Sequence, residues 1–196
     1  GTVTAPVTID RSLEAAHAYA TLGIYVVPIT PGHRYPKGID KWPQVATSDP
    51  DEVTRLWTGP YKGYGVGIVT GPKSGVWAID VDVKEGKQGR ESWTKLLAAN
   101  GSIPETTTAI TPTGGRHFLF TWDDDHPVYN FQETAANQVA PFGPGIDIRG
   151  DGGFIVVAPT IHPKTDTAYQ WKEGLDPWAT APQPAPPWTS DTLPCP

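Results

Sequence analysis

The sequence has almost no sulfur: it contains one cysteine, Cys195, and no methionine. A single cysteine excludes an intrachain disulfide framework and any zinc site built from several cysteines, so we expect no zinc. A chain without disulfides fits a reducing compartment, and we expect a cytoplasmic location. Because even the first residue is not methionine, we expect the chain to be a processed protein or a piece of a longer one.

Long apolar runs and an excess of positive charge are also missing. No stretch approaches the ~20 apolar residues of a membrane span, and the N-terminus lacks the apolar core of a signal peptide. We therefore expect no membrane partner. The formal net charge of -6 argues against general polyanion binding. A local basic patch can nevertheless hold nucleic acid.

What is present is a globular composition with many loops. The 196 residues are 38% hydrophobic and include 21 Gly and 22 Pro without a single period. This length suits one domain, since single domains have ~100–200 residues. The end of the chain, PQPAPPWTSDTLPCP, is too rich in proline to suggest a place in a core. We expect a catalytic domain over residues 1–180 and a proline-rich linker over 181–196 that leads to a further C-terminal region.

Helix and strand signals alternate along the chain. Asp10 and Asp49 are typical N-caps of helices, and a third helix is predicted over residues 90–100. Short strands are predicted at 24–28, 65–69, 76–83, 107–111, 116–122, 145–149, 154–158 and 169–171.

The stretch AIDVDV, residues 78–83, places two like charges on one face of a strand. Side chains alternate along a strand, so Asp80 and Asp82 point to the same side, about 7 Å apart. Aspartate is disfavoured in strands and neighbouring carboxylates repel, so a bound partner must offset both costs. A divalent metal is the obvious candidate. The alternative is an exposed strand face or a calcium-type loop.

Two further strands carry polar residues opposite an apolar face. His117 points away from the neighbouring phenylalanines in RHFLF, and Asp147 and Arg149 point away from the isoleucines in GIDIR. Singly, His117 is also compatible with a structural histidine, and Asp147 with Arg149 with a cross-strand ion pair. Together, the three carboxylates suit two metals ~3.5–4 Å apart that catalyse phosphoryl transfer. His117 and Arg149 would neutralise a triphosphate, because no GxxxxGK[ST] loop is present to hold it.

Five segments in this order resemble the bifunctional primase-polymerase (prim-pol) domain of the archaeo-eukaryotic primase superfamily, found at the N-terminus of phage and plasmid replication proteins. They are PKGIDKW (36–42), ATSDPDEVTRLW (46–57), GVGIVTGPKSGVWAIDVDV (65–83), TPTGGRHFLF (111–120) and GIDIRGDGGFIVVAPTIH (145–162). The resemblance implies an α/β (α+β) catalytic core, with a central mixed or antiparallel sheet and flanking helices, related to the RNA-recognition-motif fold.

The resemblance also implies roles for the matching residues. Asp80, Asp82 and Asp147 match the catalytic ligands of two divalent ions, Mg²⁺ or Mn²⁺. His117 matches a histidine that contacts the phosphates of the incoming nucleotide, and Arg149 looks like a phosphate-binding partner.

Three basic residues are weaker candidates for nucleotide binding. Lys37 falls where the family often has a basic residue near the nucleotide, and Lys41 is a rival by spacing. Arg116 stands next to the motif histidine, although alternation turns it away from His117. Gly115 departs from many relatives, which have a serine there, so a hydroxyl contact to phosphate is missing.

The implied reaction is template-directed nucleotidyl transfer, as a DNA polymerase and as a primase, in phage or plasmid DNA replication in the cytoplasm of the host cell. The implied partners are nucleoside triphosphates, a single-stranded DNA template with its primer, and a C-terminal helicase region of the parent protein. Tyr35 or Trp42 would stack on a base, with a core role as the alternative for either. Two other functions stay open: a metal-dependent nuclease and a non-catalytic module that binds single-stranded nucleic acid.

Overall fold

The computed structural model describes residues 10–84, 86–134 and 140–193; Cys195 lies outside these ranges. The helices of the described part are Arg11–Thr21 (α1), Trp42–Val45 (α2), Pro50–Thr58 (α3), Gly89–Asn100 (α4) and Pro187–Thr192 (α5). Its strands are Val26–Ile29 (β1), Gly65–Val69 (β2), Val76–Val81 (β3), Thr108–Ile110 (β4), Arg116–Thr121 (β5), Ile146–Arg149 (β6), Phe154–Val157 (β7) and Gln170–Trp171 (β8). This mixture confirms the α+β class that the resemblance implies.

Two of the helices begin at the aspartates that the sequence indicates. The Asp10 carboxylate accepts the backbone N–H of Leu13 at 3.0 Å, and the Asp49 carboxylate accepts that of Asp51 at 3.0 Å. Each bond satisfies a donor that the first turn of a helix leaves unpaired. α1 and α3 then pack against each other and against the first sheet.

The strands form two antiparallel sheets where a single central sheet was expected. The first has the order β1-β2-β7 and the second the order β6-β3-β5-β4-β8. The chain crosses from the first sheet to the second between β2 and β3, returns between β6 and β7, and crosses to the second sheet again between β7 and β8. β3 pairs with β5 on one side and with β6 on the other, so it lies inside the second sheet.

One face of β3 serves both the core and a cleft. Val76 and Ala78 belong to an apolar cluster shared with α1, α3 and the first sheet. Asp80 follows on the same face but lines a cleft. On the opposite face, Trp77 and Ile79 belong to a second apolar cluster that includes residues of α4 and α5. The apolar residues on both faces therefore fix the position of the aspartate.

The C-terminal segment differs from the expectation that it stays outside the core. The Thr121 N–H donates to the Gln183 carbonyl at 3.0 Å, and the Gln183 N–H donates to Thr106 Oγ1 at 2.9 Å. The Trp188 ring then packs edge-on against Phe142, with ring centres 5.8 Å apart. Proline permits this packing because extended segments need no internal hydrogen bonds and proline fits the first turn of a helix. The expectation is corrected for residues 183–193.

We predict that Trp188→Ala lowers the melting temperature measurably. Truncating a large apolar residue in a core costs ~3–5 kcal/mol, and the partial exposure of Trp188 reduces this to about 2 kcal/mol. In a chain of this size that loss lowers the melting temperature by roughly 4–8 °C in thermal unfolding. Leu22→Ala, at a residue that is 45% exposed, is the control and should change it by much less. Equal melting temperatures for Trp188→Ala and the wild type would contradict the packing.

Candidate active site

A cleft of about 650 Å³ opens where the shared face of β3 turns polar, and both sheets contribute to its lining. Its cations are Arg34, Lys84, Lys87, Arg149 and Lys164, and its carboxylates are Asp80, Asp82, Glu133 and Asp147. Five of the 15 Lys and Arg residues thus meet four of the 21 Asp and Glu residues. The cleft concentrates positive charge in a chain whose net charge is -6. Its lining suits an anionic ligand that binds together with metal cations.

Three of the predicted site residues stand in one row across adjacent strands. Asp80 is the register partner of Asp147 on β6 and of His117 on β5. Side chains of residues directly opposite in an antiparallel pair share a face, so all three point into the cleft. His117 Nε2 lies 3.4 Å from Asp80 Oδ1. The alternation in the sequence predicted this common direction, and it is confirmed.

Arg149 links the two aspartates of the row. Its Nη2 lies 3.3 Å from Asp80 Oδ2 and 3.3 Å from Asp147 Oδ2. Ala78, the register partner of Arg149 on β3, offers only a methyl group. The guanidinium can therefore extend over β3 to reach both carboxylates. One half-buried cation compensates two neighbouring anions that would otherwise repel each other.

Asp82 follows the end of β3 and is held by backbone contacts. Its N–H donates to the Gly145 carbonyl at 2.8 Å, and its carboxylate lies 3.5 Å from Lys84 Nζ. Gly145 has a φ of +81°, and a Cβ there would overlap the backbone of Gly89 at the start of α4. Glycine is needed at position 145 for its conformation and for this close approach.

The pKa values of Asp80 and Asp147 shift in opposite directions. Burial opposes ionisation of Asp80, but His117 and Arg149 outweigh it and lower the pKa of this carboxyl to about 2. Burial raises the pKa of Asp147, and the Glu133 N–H at 2.9 Å and the Arg149 guanidinium offset this only in part. The charge of Asp80 therefore stabilises the fold, whereas the charge of Asp147 is a cost.

The aspartates have the chemistry of a divalent-metal site, although they are paired with cations of the protein. Within residues 10–84, 86–134 and 140–193, no group of three His, Cys, Asp or Glu side chains is already arranged around a common metal position. Carboxylate oxygens are nevertheless the ligands that Mg²⁺ and Mn²⁺ prefer. A divalent ion at Asp80 and Asp147 would compete with Arg149 for the same oxygens, so the donor set fits if Arg149 moves.

The three weaker basic candidates lie outside the cleft lining. Lys37 and Lys41 are exposed. The Arg116 guanidinium donates to the carbonyls of Gly114 and Gly115 at 2.9 and 3.0 Å, so it braces the turn before β5. Their roles in nucleotide binding stay predictions without support from this geometry.

The two candidate stacking residues lie in different surroundings. Trp42 packs edge-on against Phe154 with ring centres 5.4 Å apart, in an apolar cluster of the first sheet. Tyr35 is 49% exposed and lines the cleft. Of the two, only Tyr35 lines the cleft, and its stacking on a base stays a prediction.

Several lining residues were missed by the sequence analysis. They are Arg34, Lys84, Lys87, Glu133, His162, Lys164 and Tyr169. Most come from loops, where no period shows which way a side chain points. A weak signal existed for two of them: His162 closes the last segment of the resemblance, and Lys164 follows it by two residues.

Residues 16–188 match the Prim-Pol family, described as bifunctional DNA primase/polymerase, N-terminal. The chain belongs to this family. Membership supports a primase/polymerase role in DNA replication, acting on nucleotides and DNA. The match extends through Gln183 to Trp188, in keeping with the packing of the C-terminal segment. No curated protein matches the sequence significantly.

No helix in the described part of this Prim-Pol domain is long and apolar enough to cross a membrane.

We predict that Gly145→Ala destabilises the domain more than Gly63→Ala. The two glycines have φ values of +81° and +83°, but a Cβ at Gly63 meets nothing within 4 Å. Both substitutions incur the left-handed penalty of ~1–2 kcal/mol. Only Gly145→Ala adds the overlap with Gly89, worth a further ~1–3 kcal/mol. Urea unfolding of both variants measures the difference, and equal losses would refute the close approach.

We predict opposite stability effects for Asp80→Asn and Asp147→Asn in the presence of a chelator. The lowered pKa of Asp80 contributes about 2 kcal/mol at neutral pH, at 1.36 kcal/mol per unit. Asp80→Asn should therefore lower the melting temperature at pH 7. Its deficit relative to the wild type should shrink as the pH falls from 4 toward 2, where wild-type Asp80 becomes protonated.

Asp147→Asn should instead raise the melting temperature at pH 7. The raised pKa of Asp147 means that its ionised form costs stability above its ordinary pKa. Asparagine also retains an oxygen to accept the Glu133 N–H. Thermal unfolding of the two variants in parallel tests the pair, and shifts of the same sign would contradict the assigned charge balance.

Proposed function

We propose that this Prim-Pol domain catalyses template-directed nucleotidyl transfer with two divalent ions, in phage or plasmid DNA replication. A primer 3′-hydroxyl attacks the α-phosphate of a nucleoside triphosphate, and pyrophosphate leaves. The observation that carries this proposal is the cleft itself. Aspartates on two adjacent strands, and one just beyond β3, face a lining rich in Lys and Arg. A polymerase needs both features, because its metals bind carboxylates and its substrate is a polyanion.

Three residues would hold the Mg²⁺ or Mn²⁺ ions: Asp80, Asp82 and Asp147. When bound, such ions activate the attacking hydroxyl and stabilise the leaving oxygen. Asp80 and Asp147 are register partners on paired strands, so their carboxylates are positioned by the sheet and not by a loop. Asp82 is fixed by its N–H bond to Gly145. Such rigid positioning suits a reaction that depends on geometry.

Arg149 and His117 would serve the phosphates. Arg149 contacts both aspartates, and it loses these partners wherever Asp80 and Asp147 bind a cation instead. Its planar guanidinium can then donate to phosphate oxygens from the same place in the cleft. His117 lines the cleft, and its Nδ1 is buried without a hydrogen-bond partner among the described residues. This free nitrogen leaves His117 able to form a further contact after a small movement.

We predict that Asp80→Ala abolishes primer extension. The assay uses a labelled primer on a single-stranded DNA template, with Mg²⁺ or Mn²⁺ and nucleoside triphosphates. Loss of a metal ligand removes several kcal/mol of transition-state stabilisation, so the rate should fall by roughly 10³-fold. Asp123→Ala, which removes an exposed carboxylate outside the cleft, is the matched control and should extend normally.

The same assay separates the other candidate functions. Degradation of the template that requires Asp80, without extension, would indicate a nuclease. Template binding that survives Asp80→Ala and chelation, again without extension, would indicate a binding module. Either outcome overturns the proposed reaction.

A further inference from the structure

One end of the cleft carries cations that no carboxylate compensates. Arg34 lies in the loop after β1, and Lys164 lies in the loop between β7 and β8. Among the residues that the structure describes, neither forms a salt bridge, whereas Arg149 and Lys84 are both paired with aspartates. Charge at Arg34 and Lys164 is therefore available to a ligand.

His162 lies beside these cations and is prepared to donate a hydrogen bond. It is 4% exposed, and its Nδ1 accepts the Lys164 backbone N–H at 3.1 Å. A neutral imidazole with an accepting Nδ1 carries its proton on Nε2. Burial lowers the pKa of His162, and Arg34 and Lys164 lower it further. The ring is thus a neutral donor in the neighbourhood of two cations.

Among the described residues, the Nε2 of His162 forms no hydrogen bond. In the described part of the chain, two buried side-chain polar atoms have no hydrogen-bond partner, His117 Nδ1 and Trp188 Nε1. His162 Nε2 is not one of them, and the ring forms its described hydrogen bond through Nδ1. His162 also lines the cleft. Its proton can therefore meet an acceptor of a bound ligand.

A column of three near-parallel rings joins this end of the cleft to the aspartates. His117 and Tyr169 have ring centres 6.3 Å apart at 24°, and Tyr169 and His162 have ring centres 6.0 Å apart at 23°. His117 in turn contacts Asp80. The His117 and His162 ring centres are thus two ring-to-ring steps apart, at most about 12 Å.

We propose that Arg34, His162 and Lys164 form a subsite for the β- and γ-phosphates of the bound nucleoside triphosphate, the part that leaves as pyrophosphate. This inference rests on the proposed nucleotidyl transfer. The Arg34 guanidinium can donate bidentately, Lys164 supplies a compact charge, and His162 adds a neutral donor. The subsite recognises the length of the phosphate chain, so it distinguishes triphosphates from monophosphates.

The same three groups also have the chemistry to hold a backbone phosphate of the template or primer. Both ligands are phosphates. The two sources are distinguished by whether substitution of Arg34 or Lys164 weakens the binding of triphosphates or the binding of an oligonucleotide. Strand binding that depends on Arg34 and Lys164 would be strongly salt-dependent and would not distinguish triphosphates from monophosphates.

The test measures calorimetric affinities of the protein for ATP, dATP, pyrophosphate, dAMP and a single-stranded oligonucleotide, with Mn²⁺ present. Arg34→Ala and Lys164→Ala are suitable variants because Arg34 is exposed and the His162 contact uses the Lys164 backbone. Each should weaken triphosphate and pyrophosphate binding at least about tenfold, with dAMP and oligonucleotide binding unchanged. Lys62→Ala, an exposed cation outside the cleft, is the control and should change none of them.

Three results would overturn the subsite. Wild-type triphosphate affinity in both variants would show that the cations do not touch the phosphates. A loss confined to the oligonucleotide, with a shallower salt dependence, would assign the groups to the strand backbone. A wild-type protein that binds no triphosphate would overturn the proposed function together with the subsite. Melting temperatures of the variants confirm that they are folded.

Discussion

The pairing of one guanidinium with two carboxylates is the constraint on which the cleft depends. Asp80 and Asp147 face each other on paired strands, and their ionised forms repel at that separation. Arg149 contacts both, and His117 adds a further contact to Asp80. The compensation is unequal, since the pKa of Asp80 falls while that of Asp147 rises. The cleft thus holds one stabilised anion and one costly anion, which is the condition of a site that gains from binding a cation.

The position of Asp80 in the cleft is set by the packing of β3 in the apolar core. The face of β3 that ends in Asp80 begins with Val76 and Ala78, which are buried against α1, α3 and the first sheet. The other face is buried against residues of α4 and α5. An aspartate two residues from a fully buried alanine has little freedom to move. The sheet therefore provides the preorganisation, and a loop-borne aspartate would not have it.

The features that depend on strand period were predictable from sequence. Alternation gives the common direction of Asp80, His117, Asp147 and Arg149, and the N-caps give two helix starts. Features that depend on tertiary contacts could not be predicted from the sequence. Nothing local indicates that the strands divide between two sheets. Nor does the local sequence indicate that Arg34 lines the cleft, whereas Lys37 and Lys41, which were expected near the nucleotide, do not.

The expectation for the C-terminal segment was wrong for a different reason, because a high proline content does not imply that a segment is unstructured. Proline content says that a segment lacks internal backbone bonds, but not that it lacks external ones. The Gln183 backbone bonds to Thr121 of the second sheet and to the side chain of Thr106, just before β4, and Trp188 supplies apolar surface to bury. Gln183 and Trp188 are the residues that anchor this segment. Their role can be recognised only when the surface that they contact is known.

The division into two hydrogen-bonded sheets has a mechanical consequence. The aspartate row lies on the second sheet, whereas Arg34 lies in the loop after β1 of the first sheet and Lys164 lies in the loop that leads from β7 of the first sheet to β8 of the second. Among the described residues no strand pairing joins the two sheets. They are connected near the crossings, where the Gly71 N–H donates to the Val76 carbonyl at 2.7 Å and the Thr70 hydroxyl donates to the Gly150 carbonyl at 2.7 Å. A ligand that contacts both Arg34 and the aspartate row would therefore bridge the two sheets.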